Sequence, residues 1–493
     1  MQKGVQAEPS RQELRRRVLE LFPYISLPMF LAIVDQTMIA TALPSIVTDL
    51  GEASLSSLVV IVYVCTSAIA TPVYGQLGDR FGRVRMMRLS LIIFSSMAVL
   101  CALSSNIYML LAMRIAQGIG AGGLVALSQA LIGERLSPRE RGRMQGYLAT
   151  VVIASTALGP LIGGFVSQYV GWRWLFGGAA IIGLIAFWLT FRLPSVIPEK
   201  QGRFRFDMGG LVLFALLVVT VLAALQIAQR PQMTAGGGWP WLALPAVGVL
   251  VILLAFWERR ASQPLLPPDL IAMPAVWRSD LLAIFFAAAL VSLMTFLPTF
   301  FRVAHGVTSA GTGLLMLPSV IGAGLGSVVT GRLMWRTGRT AIWPSVGLAV
   351  AVLLLVALAV MLHDLSAVQV AWLVGVSAFF MGSVMGVVQV TVQIAAGPER
   401  LGTAAATVQL SRTLGSALGT ALVSTVLFGV LARMNPEIYA AFLELIAQAT
   451  QRGEADQIMH GSILTAFQYA FSLPAAFALV GLVLAWTLPV RRI

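Results

Sequence analysis

Charged residues are scarce in this chain: Asp, Glu, Lys and Arg make up 11% of its 493 residues, whereas a soluble domain carries about 25%. Hydrophobic residues make up 58%, and the mean hydropathy is +0.88. So few polar residues cannot cover a surface that faces water. Apolar stretches of about 20 residues, each long enough to cross a bilayer, recur along the chain. The composition therefore excludes a soluble globular protein and predicts an all-α polytopic membrane protein.

Cysteine, histidine and the common catalytic motifs are equally sparse. The two cysteines, Cys65 and Cys101, both fall in apolar runs, so no disulfide framework is expected. The three histidines are scattered and predict no metal site. No P-loop, HExxH or GxSxG motif occurs, so neither ATP hydrolysis nor a familiar hydrolase site is indicated. We therefore expect a protein that is not an enzyme and that carries no cofactor.

The net charge of +13 could suggest a nucleic-acid partner, but the positions of the basic residues explain it better. An even number of apolar runs, fourteen, puts both termini on one side. With that side inside, 26 of the 33 Lys and Arg residues fall in inner segments, five in outer segments and two within spans. This asymmetry predicts cytoplasmic termini and no nucleic-acid binding. The runs lie near 22–43, 56–75, 86–104, 108–132, 144–166, 174–191, 208–228, 239–257, 281–301, 311–331, 341–361, 368–395, 404–431 and 463–488.

An internal repeat divides the chain into two similar halves. GQLGDRFGR, at 75–83, agrees with GRLMWRTGR, at 331–339, at five of nine positions. Each copy follows the second helix of a six-helix set, a plan common among secondary transporters. The predicted segments are a cytoplasmic N-terminal segment 1–21, an N-terminal six-helix bundle 22–192, a linker with two additional transmembrane helices 193–275, a C-terminal six-helix bundle 276–489 and a cytoplasmic tail 490–493. Within the C-terminal bundle, the outer loop 433–460 could be a lid, a contact for a periplasmic adaptor protein or a solvated loop.

The first copy of the repeat predicts a conformational switch. Gly75 and Gly82 allow a tight connection between two helices, and Arg80 and Arg83 would lie at the inner face beside anionic membrane lipid. Asp79 has no counterpart in the second copy, where Trp335 stands.

Two roles are open for Asp79. Its carboxylate could lie against the positive N-terminal end of the thirteenth helix, near Thr403, and hold the halves together on the cytoplasmic side. It could instead only neutralise Arg80 or Arg83.

Few charged residues fall inside the apolar runs, and such residues are candidates for function because a charge in a bilayer costs several kcal/mol. Asp35, in the first helix, is a candidate proton carrier or a structural anchor near the outer interface. Arg114, in the fourth helix, could hold a positive charge beside an acid or a substrate, or extend its tip to the interface. Arg412, in the thirteenth helix, is a candidate for the substrate cavity.

Two further sets of residues suggest moving or binding parts. Gly159, Pro160, Gly163 and Gly164 predict a pliable, closely packed fifth helix where the halves meet, so we assign them to the conformational switch. Gln389 and Gln393 are four residues apart and share one face of the twelfth helix. They could line the substrate cavity or join helices.

Several stretches together resemble the major facilitator superfamily, and within it the fourteen-helix drug:proton antiporters. GQLGDRFGR resembles the signature between helices two and three, and RIAQGIGAGG, which begins at Arg114, resembles a fourth-helix motif whose arginine is associated with proton coupling. ALGPLIGGFV, at 157–166, is similar to a fifth-helix signature of exporters. LAIVDQTMIATALP, QPLLPPDL and SRTLGSALGTAL resemble other stretches of that group. The first-helix motif usually has asparagine where Ala40 stands, and the fifth-helix pattern often has glycine where Ser155 stands.

The resemblance implies the major facilitator fold, with two six-helix bundles and two extra central helices. It also implies a proton-coupled exporter of small amphiphilic compounds in the bacterial inner membrane, driven by the proton gradient, with a link to antibiotic resistance. Asp35 and Arg114 would couple protons to transport. The alternatives are a transporter for one specific metabolite, siderophore or lipid, and a membrane sensor or scaffold that does not transport.

Overall fold

The computed structural model describes residues 11–52, 55–194, 205–228, 239–434 and 457–492, and these are almost entirely helical. Thirteen of the described helices are long and apolar enough to cross a bilayer, and α8 has a shorter apolar part, Pro245–Glu258. The expected all-α class is confirmed. The helices are α1 Arg11–Leu50, α2 Ser56–Phe81, α3 Arg83–Ala102, α4 Ile107–Arg135, α5 Pro138–Tyr169, α6 Arg173–Thr190, α7 Met208–Ala228, α8 Trp239–Glu258, α9 Pro274–His305, α10 Ser309–Thr337, α11 Ile342–Met361, α12 in two segments Ala367–Met381 and Ser383–Ala396, α13 Leu401–Met434 and α14 Gln457–Trp486.

Two separate hydrophobic cores form the protein. One is built from α1–α6 and runs from Ile25 to Leu193, and the other is built mainly from α9–α14 and runs from Leu270 to Leu488. A third, smaller cluster joins α7 and α8 to α2 and α13, so the inserted pair contacts both halves.

Several helices extend beyond their expected apolar spans, and three of the differences bear on the site. α1 begins at Arg11 and not near residue 22, because a run of charged, helix-favouring residues extends the helix beyond its apolar part. α9 begins at Pro274 and therefore includes Asp280. α12 is interrupted at Gly382, where a Cβ would lie 2.9 Å from the Ser327 amide of α10, so only glycine allows this close approach.

Glycines bring α4 into backbone contact with its neighbours. A Cβ at Gly120 would lie 2.6 Å from the Phe94 amide of α3, and one at Gly122 would lie 2.9 Å from the Thr71 amide of α2. Small residues at such positions are typical of packed membrane helices. This packing fixes the position of Arg114, which precedes the glycines on the same helix.

The arginines at the helix ends distinguish the two ends of the protein. We call one of them the basic end, where α2, α10 and α14 end and α3, α5 and α13 begin. The other end, where α1, α5 and α13 end and α4 begins, is called the opposite end. The basic end carries Arg80, Arg83, Arg85, Arg139, Arg141, Arg143, Arg336, Arg339 and Arg491.

Candidate functional site

Asp35 and Arg114 form a fully buried ion pair inside the N-terminal half. Arg114 Nη1 lies 2.6 Å from Asp35 Oδ2, and both side chains are 0% exposed. Gln117, nearly one turn further along α4, accepts a hydrogen bond from the same Nη1 at 2.8 Å and donates to Asp35 Oδ1 at 3.3 Å. The three side chains close a hydrogen-bonded ring between α1 and α4.

Residues of α2 complete the surroundings of the guanidinium. Its carbon lies 4.0 Å from the centroid of the Tyr63 ring, and Nε donates to the Val59 carbonyl at 3.3 Å. A buried pair is stabilised only if its partners are well bonded, and one donor here, Arg114 Nη2, has no hydrogen-bond partner among the described residues. Protonation of Asp35 would leave the Arg114 cation uncompensated, so this pair is a suitable place to couple a proton to a movement of helices.

The pair lies nearer the opposite end along α4 and near the middle of the apolar part of α1. Arg114 lies seven residues after the start of α4 at Ile107, which is about 10 Å at 1.5 Å per residue. Asp35 lies near the middle of the apolar part of α1, Leu19–Leu50.

At the basic end, Asp79 holds the start of α13 from the other half. Its Oδ1 accepts a hydrogen bond from the Gly402 amide at 2.8 Å, and Oδ2 accepts from the Thr403 amide at 2.9 Å and the Thr403 hydroxyl at 3.1 Å. The carboxylate thus lies at the positive end of a helix, and the predicted contact near Thr403 is confirmed.

Arg83 extends this contact. Arg83 Nη2 lies 2.7 Å from Asp79 Oδ1 and donates to the Pro398 carbonyl at 3.0 Å, while Nη1 lies 2.7 Å from Glu134 Oε2. Asp79 therefore contacts the other half and also pairs with Arg83, so it does more than neutralise an arginine. Gly82 adopts φ 96° at the turn between α2 and α3, a conformation that favours glycine. Arg80 occupies the last turn of α2.

Two glycine contacts related by the 256-residue repeat close the basic end. A Cβ at Gly75 would lie 2.7 Å from the Gly402 carbonyl oxygen. At the equivalent positions, a Cβ at Gly331 would lie 3.3 Å from the Gly146 amide. Beside the second contact, the Arg143 guanidinium lies 5.2 Å from the Trp335 ring centroid, so a cation–π contact replaces the carboxylate.

The glycines further along α5 have a different neighbour from the one expected. Cβ atoms at Gly159 and Gly163 would collide with Thr37 and with the Met38 carbonyl oxygen of α1, in the same half. These two glycines therefore pack α5 against its own half, whereas α5 meets α10 of the other half through Gly142 and Gly146 near its start. Pro160 lies inside α5, and its carbonyl oxygen is 3.5 Å from Thr41 Oγ1.

A Cβ at Gly164, the fourth residue assigned to the switch on α5, would meet nothing within 4 Å. Its packing gives no reason for glycine there.

Gln393 joins the two halves. Its Nε2 donates to the Gln129 carbonyl of α4 at 2.8 Å, and the side chain is 1% exposed. This geometry favours the joining role over the cavity role. Gln389 is also buried, and its Nε2 has no hydrogen-bond partner.

The structure identifies one acidic residue in a helix that the sequence pattern does not indicate. Asp280 lies in the second turn of α9, beside Thr407 of α13, and its Oδ1 is buried without a hydrogen-bond partner. An apolar run ends at such a charge, so the expected span begins only at residue 281. Arg412 lies on α13, away from the Asp35 pair. Most of the outer loop, 435–456, lies outside the described residues.

Comparison with known proteins assigns the fold family. The family model for the Major Facilitator Superfamily matches residues 25–420. The chain belongs to the major facilitator superfamily. Its apolar helices and its family make it a multi-pass membrane protein, and the family is one of transporters and not of enzymes.

Relatives of this superfamily member include transporters of bacteria. The chain is 27% identical to the multidrug transporter protein MdtP of Bacillus subtilis over 462 residues, which cover 91% of this chain and 84% of MdtP. It is 30% identical over 429 residues to an uncharacterised transporter of the major facilitator type from Mycobacterium tuberculosis, with 84% of this chain covered. The chain spans about 60% of the length of that mycobacterial relative.

Solved structures share the fold of this superfamily member. The human organic anion transporter MFSD10 superposes with a TM-score of 0.62 at 17% identity, covering 97% of this chain and all of that one. The proton:xylose symporter XylE superposes with a TM-score of 0.59 at 15% identity, covering 96% of each chain. The expected major facilitator fold is confirmed.

Proposed function

We propose that this transporter is a proton-coupled exporter of small amphiphilic compounds in the cytoplasmic membrane of a bacterium. The observation that carries the proposal is the sealed Asp35–Arg114–Gln117 ring. A carboxylate buried in the membrane at a cost of several kcal/mol, and held by a cation on another helix, can exchange a proton only when the helices move. Coupled transport requires this link.

The contacts at the basic end define the second part of the proposed transport cycle. The excess of arginine supports a cytoplasmic location for the basic end, and in the proposed orientation both termini lie on that side. In the described state, Asp79, Gln393 and the two glycine contacts close this end. A proton that reaches Asp35 from the opposite end of the protein would weaken the pair of Asp35 with Arg114. The halves would then rock, open the basic end and exchange the proton for substrate.

The relatives support export of amphiphilic compounds, since one of them is named a multidrug transporter. A transporter for one specific metabolite, siderophore or lipid would use the same coupling pair, and an efflux screen separates the two. Substrate and protons are the partners that this function requires, and a periplasmic adaptor at the outer loop remains a prediction.

The test is an efflux screen in a pump-deficient bacterial host, with wild type and Asp35→Asn. We expect wild type to lower the accumulation of several unrelated amphiphilic dyes, and a protonophore to abolish the difference. Asp49→Asn, on the same helix but paired with Arg173 at the opposite end, is the matched control. Export that survives the protonophore, or that Asp35→Asn retains in full, would overturn the proposal.

A further inference from the structure

A row of polar side chains follows one side of α13. The glycines of α13 and the small hydrophobic cluster around α7 show which helix lies on each side of α13. Gly402 faces α2, Gly415 and Gly419 face α9, and Leu410 and Ala417 face the inserted α7. At about 100° per residue, Arg412 falls in the arc between the α9 face and the α2 face. Gln409 and Ser416 fall in the same arc, so it opens toward the space between the halves.

The accessibility of this arc agrees with a cavity wall. Arg412 is partly exposed. A side chain packed in a core would lose its exposed surface. Gln409 and Ser416 in the same arc are partly exposed as well. The combination is typical of residues that line an internal space.

Arg412 has no acidic partner in the part of the chain that the structure describes. Asp280 interacts with Thr407, five residues before Arg412, and five residues correspond to about 140° around the helix. Asp280 therefore lies beside a different face of α13. Asp35 is already held by Arg114 in the other half.

The hydroxyl groups in this arc and on the adjoining α2 face of α13 do not provide a competing site for an anion. Thr413 donates to the Gln409 carbonyl at 3.0 Å, Ser416 to the Thr413 carbonyl at 2.8 Å, and Thr420 to the Ser416 carbonyl at 2.9 Å. Their protons are used within the helix, which leaves the guanidinium as the charged donor of this wall. A planar guanidinium binds carboxylate or sulfonate groups through two parallel hydrogen bonds.

We propose that Arg412 is the anion-binding residue of the transport cavity, and that the preferred substrates are amphiphilic monoanions such as aryl carboxylates and sulfonates. The inference rests on the proposed exporter function and names its substrate class. The substrate anion supplies the partner that the buried cation lacks, and its apolar body occupies the rest of the cavity.

The proposal has a consequence for the charge that each cycle moves. With one proton taken in per substrate, export of a monoanion moves two positive charges inward, and export of a neutral compound moves one. Export of a monocation moves none. The membrane potential therefore accelerates anion export most strongly and leaves cation export unaffected.

The experiment uses the full chain in vesicles with an acidic lumen, and three probes that share one ring system. The probes are naphthalene-2-sulfonate, naphthalene-2-sulfonamide and 2-naphthylmethylammonium. We expect the sulfonate to enter at least about tenfold faster than the ammonium, since the charged hydrogen bonds to Arg412 are available only to the anion. A lumen-positive potential, set with valinomycin and external potassium, should accelerate sulfonate uptake further.

Three variants assign the preference to Arg412. Arg412→Gln should lower sulfonate uptake about tenfold or more. Arg412→Lys, which keeps the charge but not the planar donor pair, should retain sulfonate uptake within about threefold. Arg433→Gln makes the same change near the end of the same helix and should match wild type. If Arg412→Gln fails to fold, Arg412→Lys and the potential dependence of wild type still test the inference.

The experiment distinguishes failure of the proposed exporter function from failure of the role assigned to Arg412. If wild type moves none of the three probes under the pH gradient, the exporter function falls and the inference falls with it. If wild type moves the sulfonamide or the ammonium probe but not the sulfonate, the inference about Arg412 alone is wrong. The same holds if a folded Arg412→Gln protein keeps the preference for the sulfonate.

Discussion

Asp79 and Thr403 are joined by two hydrogen bonds, from the amide and the hydroxyl of Thr403 to Asp79 Oδ2, although 324 residues separate them in the chain. The contact connects α2 of one half to the first turn of α13 of the other. Both side chains are buried, with Asp79 5% exposed. A charged acceptor on backbone amides makes stronger hydrogen bonds than a neutral one, so this contact stabilises the state in which the basic end is closed.

We expect Asp79→Asn to open the basic end more often. Asparagine keeps the size of the side chain, but it loses the charge at the helix N-terminus and replaces one acceptor oxygen with a donor. The closed state should lose about 1–3 kcal/mol. The measurement is the rate at which an impermeant maleimide modifies Gln409→Cys, on the cavity wall, in a background without Cys65 and Cys101. The rate should rise by tenfold or more, which corresponds to about 1.4 kcal/mol.

The matched control for this experiment is Asp269→Asn. Asp269 also pairs with an arginine near the basic end, Arg400, but it is exposed. An equal rise in the labelling rate with Asp269→Asn would show that loss of any carboxylate has the effect, and the role assigned to Asp79 would be wrong.

The close contact at Gly75 predicts that the same change, glycine to alanine, has opposite effects on stability at two positions. Gly75→Ala places a methyl group 2.7 Å from the Gly402 carbonyl oxygen, so the two helices must separate at a cost of about 1–3 kcal/mol. Gly429→Ala meets nothing within 4 Å and should stabilise α13 by about 0.5–1 kcal/mol. Thermal melting in detergent and the labelling assay would check both. If the Gly75→Ala protein melts at the same temperature as wild type and keeps its basic end closed, the prediction is wrong.

The buried pair predicts a double-mutant cycle with strong coupling. Arg114→Gln leaves Asp35 buried without its cation and should cost about 3–5 kcal/mol of stability. Asp35→Asn should likewise destabilise the protein. The double variant should be more stable than the sum of the two losses predicts, because no uncompensated charge remains. Additive losses in the melting experiments would mean that the two residues do not depend on each other.

The exposed pair of Asp269 and Arg400 predicts a small pH effect. The hydrogen bond from Arg400 lowers the pKa of Asp269 below its ordinary value of 3.8. The stabilisation is therefore present above pH 3.8 and is lost as the pH falls through the lower folded-state pKa. The side chains are 43% and 59% exposed, so solvent limits the effect to below about 1 kcal/mol. Melting curves of Asp269→Asn and wild type should differ slightly at pH 7 and converge in acid.

The parts of the site that the sequence predicts are those that follow from charge and repetition. The repeat at 256 residues places GQLGDRFGR at a helix end, and an unmatched carboxylate there suits the positive end of another helix. The contact between Asp79 and Thr403 follows from these two facts. Asp35 and Arg114 stand out because a bilayer tolerates few charges, although their positions in the chain do not show that the two side chains pair with each other.

The parts that the sequence does not predict depend on which neighbour a helix face meets. A glycine allows close approach to any helix, so Gly159 and Gly163 could not show that α1, and not the other half, lies against them. Gln393 could equally line a cavity or join helices, and only the position of Gln129 beside it decides between the two. Asp280 falls outside the expected span because an apolar run ends at a charge, whereas the helix continues through it.

The inserted helices have a consequence for the route that a lipophilic compound takes. Phe214 and Val218 of α7 lie against Cys65 and Ala68 of α2, and Leu410 and Ala417 of α13 belong to the same cluster. Apolar contacts have no required direction, so α7 can stay in place while the two halves shift beside it. Acyl chains are thereby kept out of the crevice on this flank. On this arrangement, a molecule dissolved in the bilayer would enter by the other flank, between the parts of α5 and α10 beyond their contact at Gly146 and Gly331.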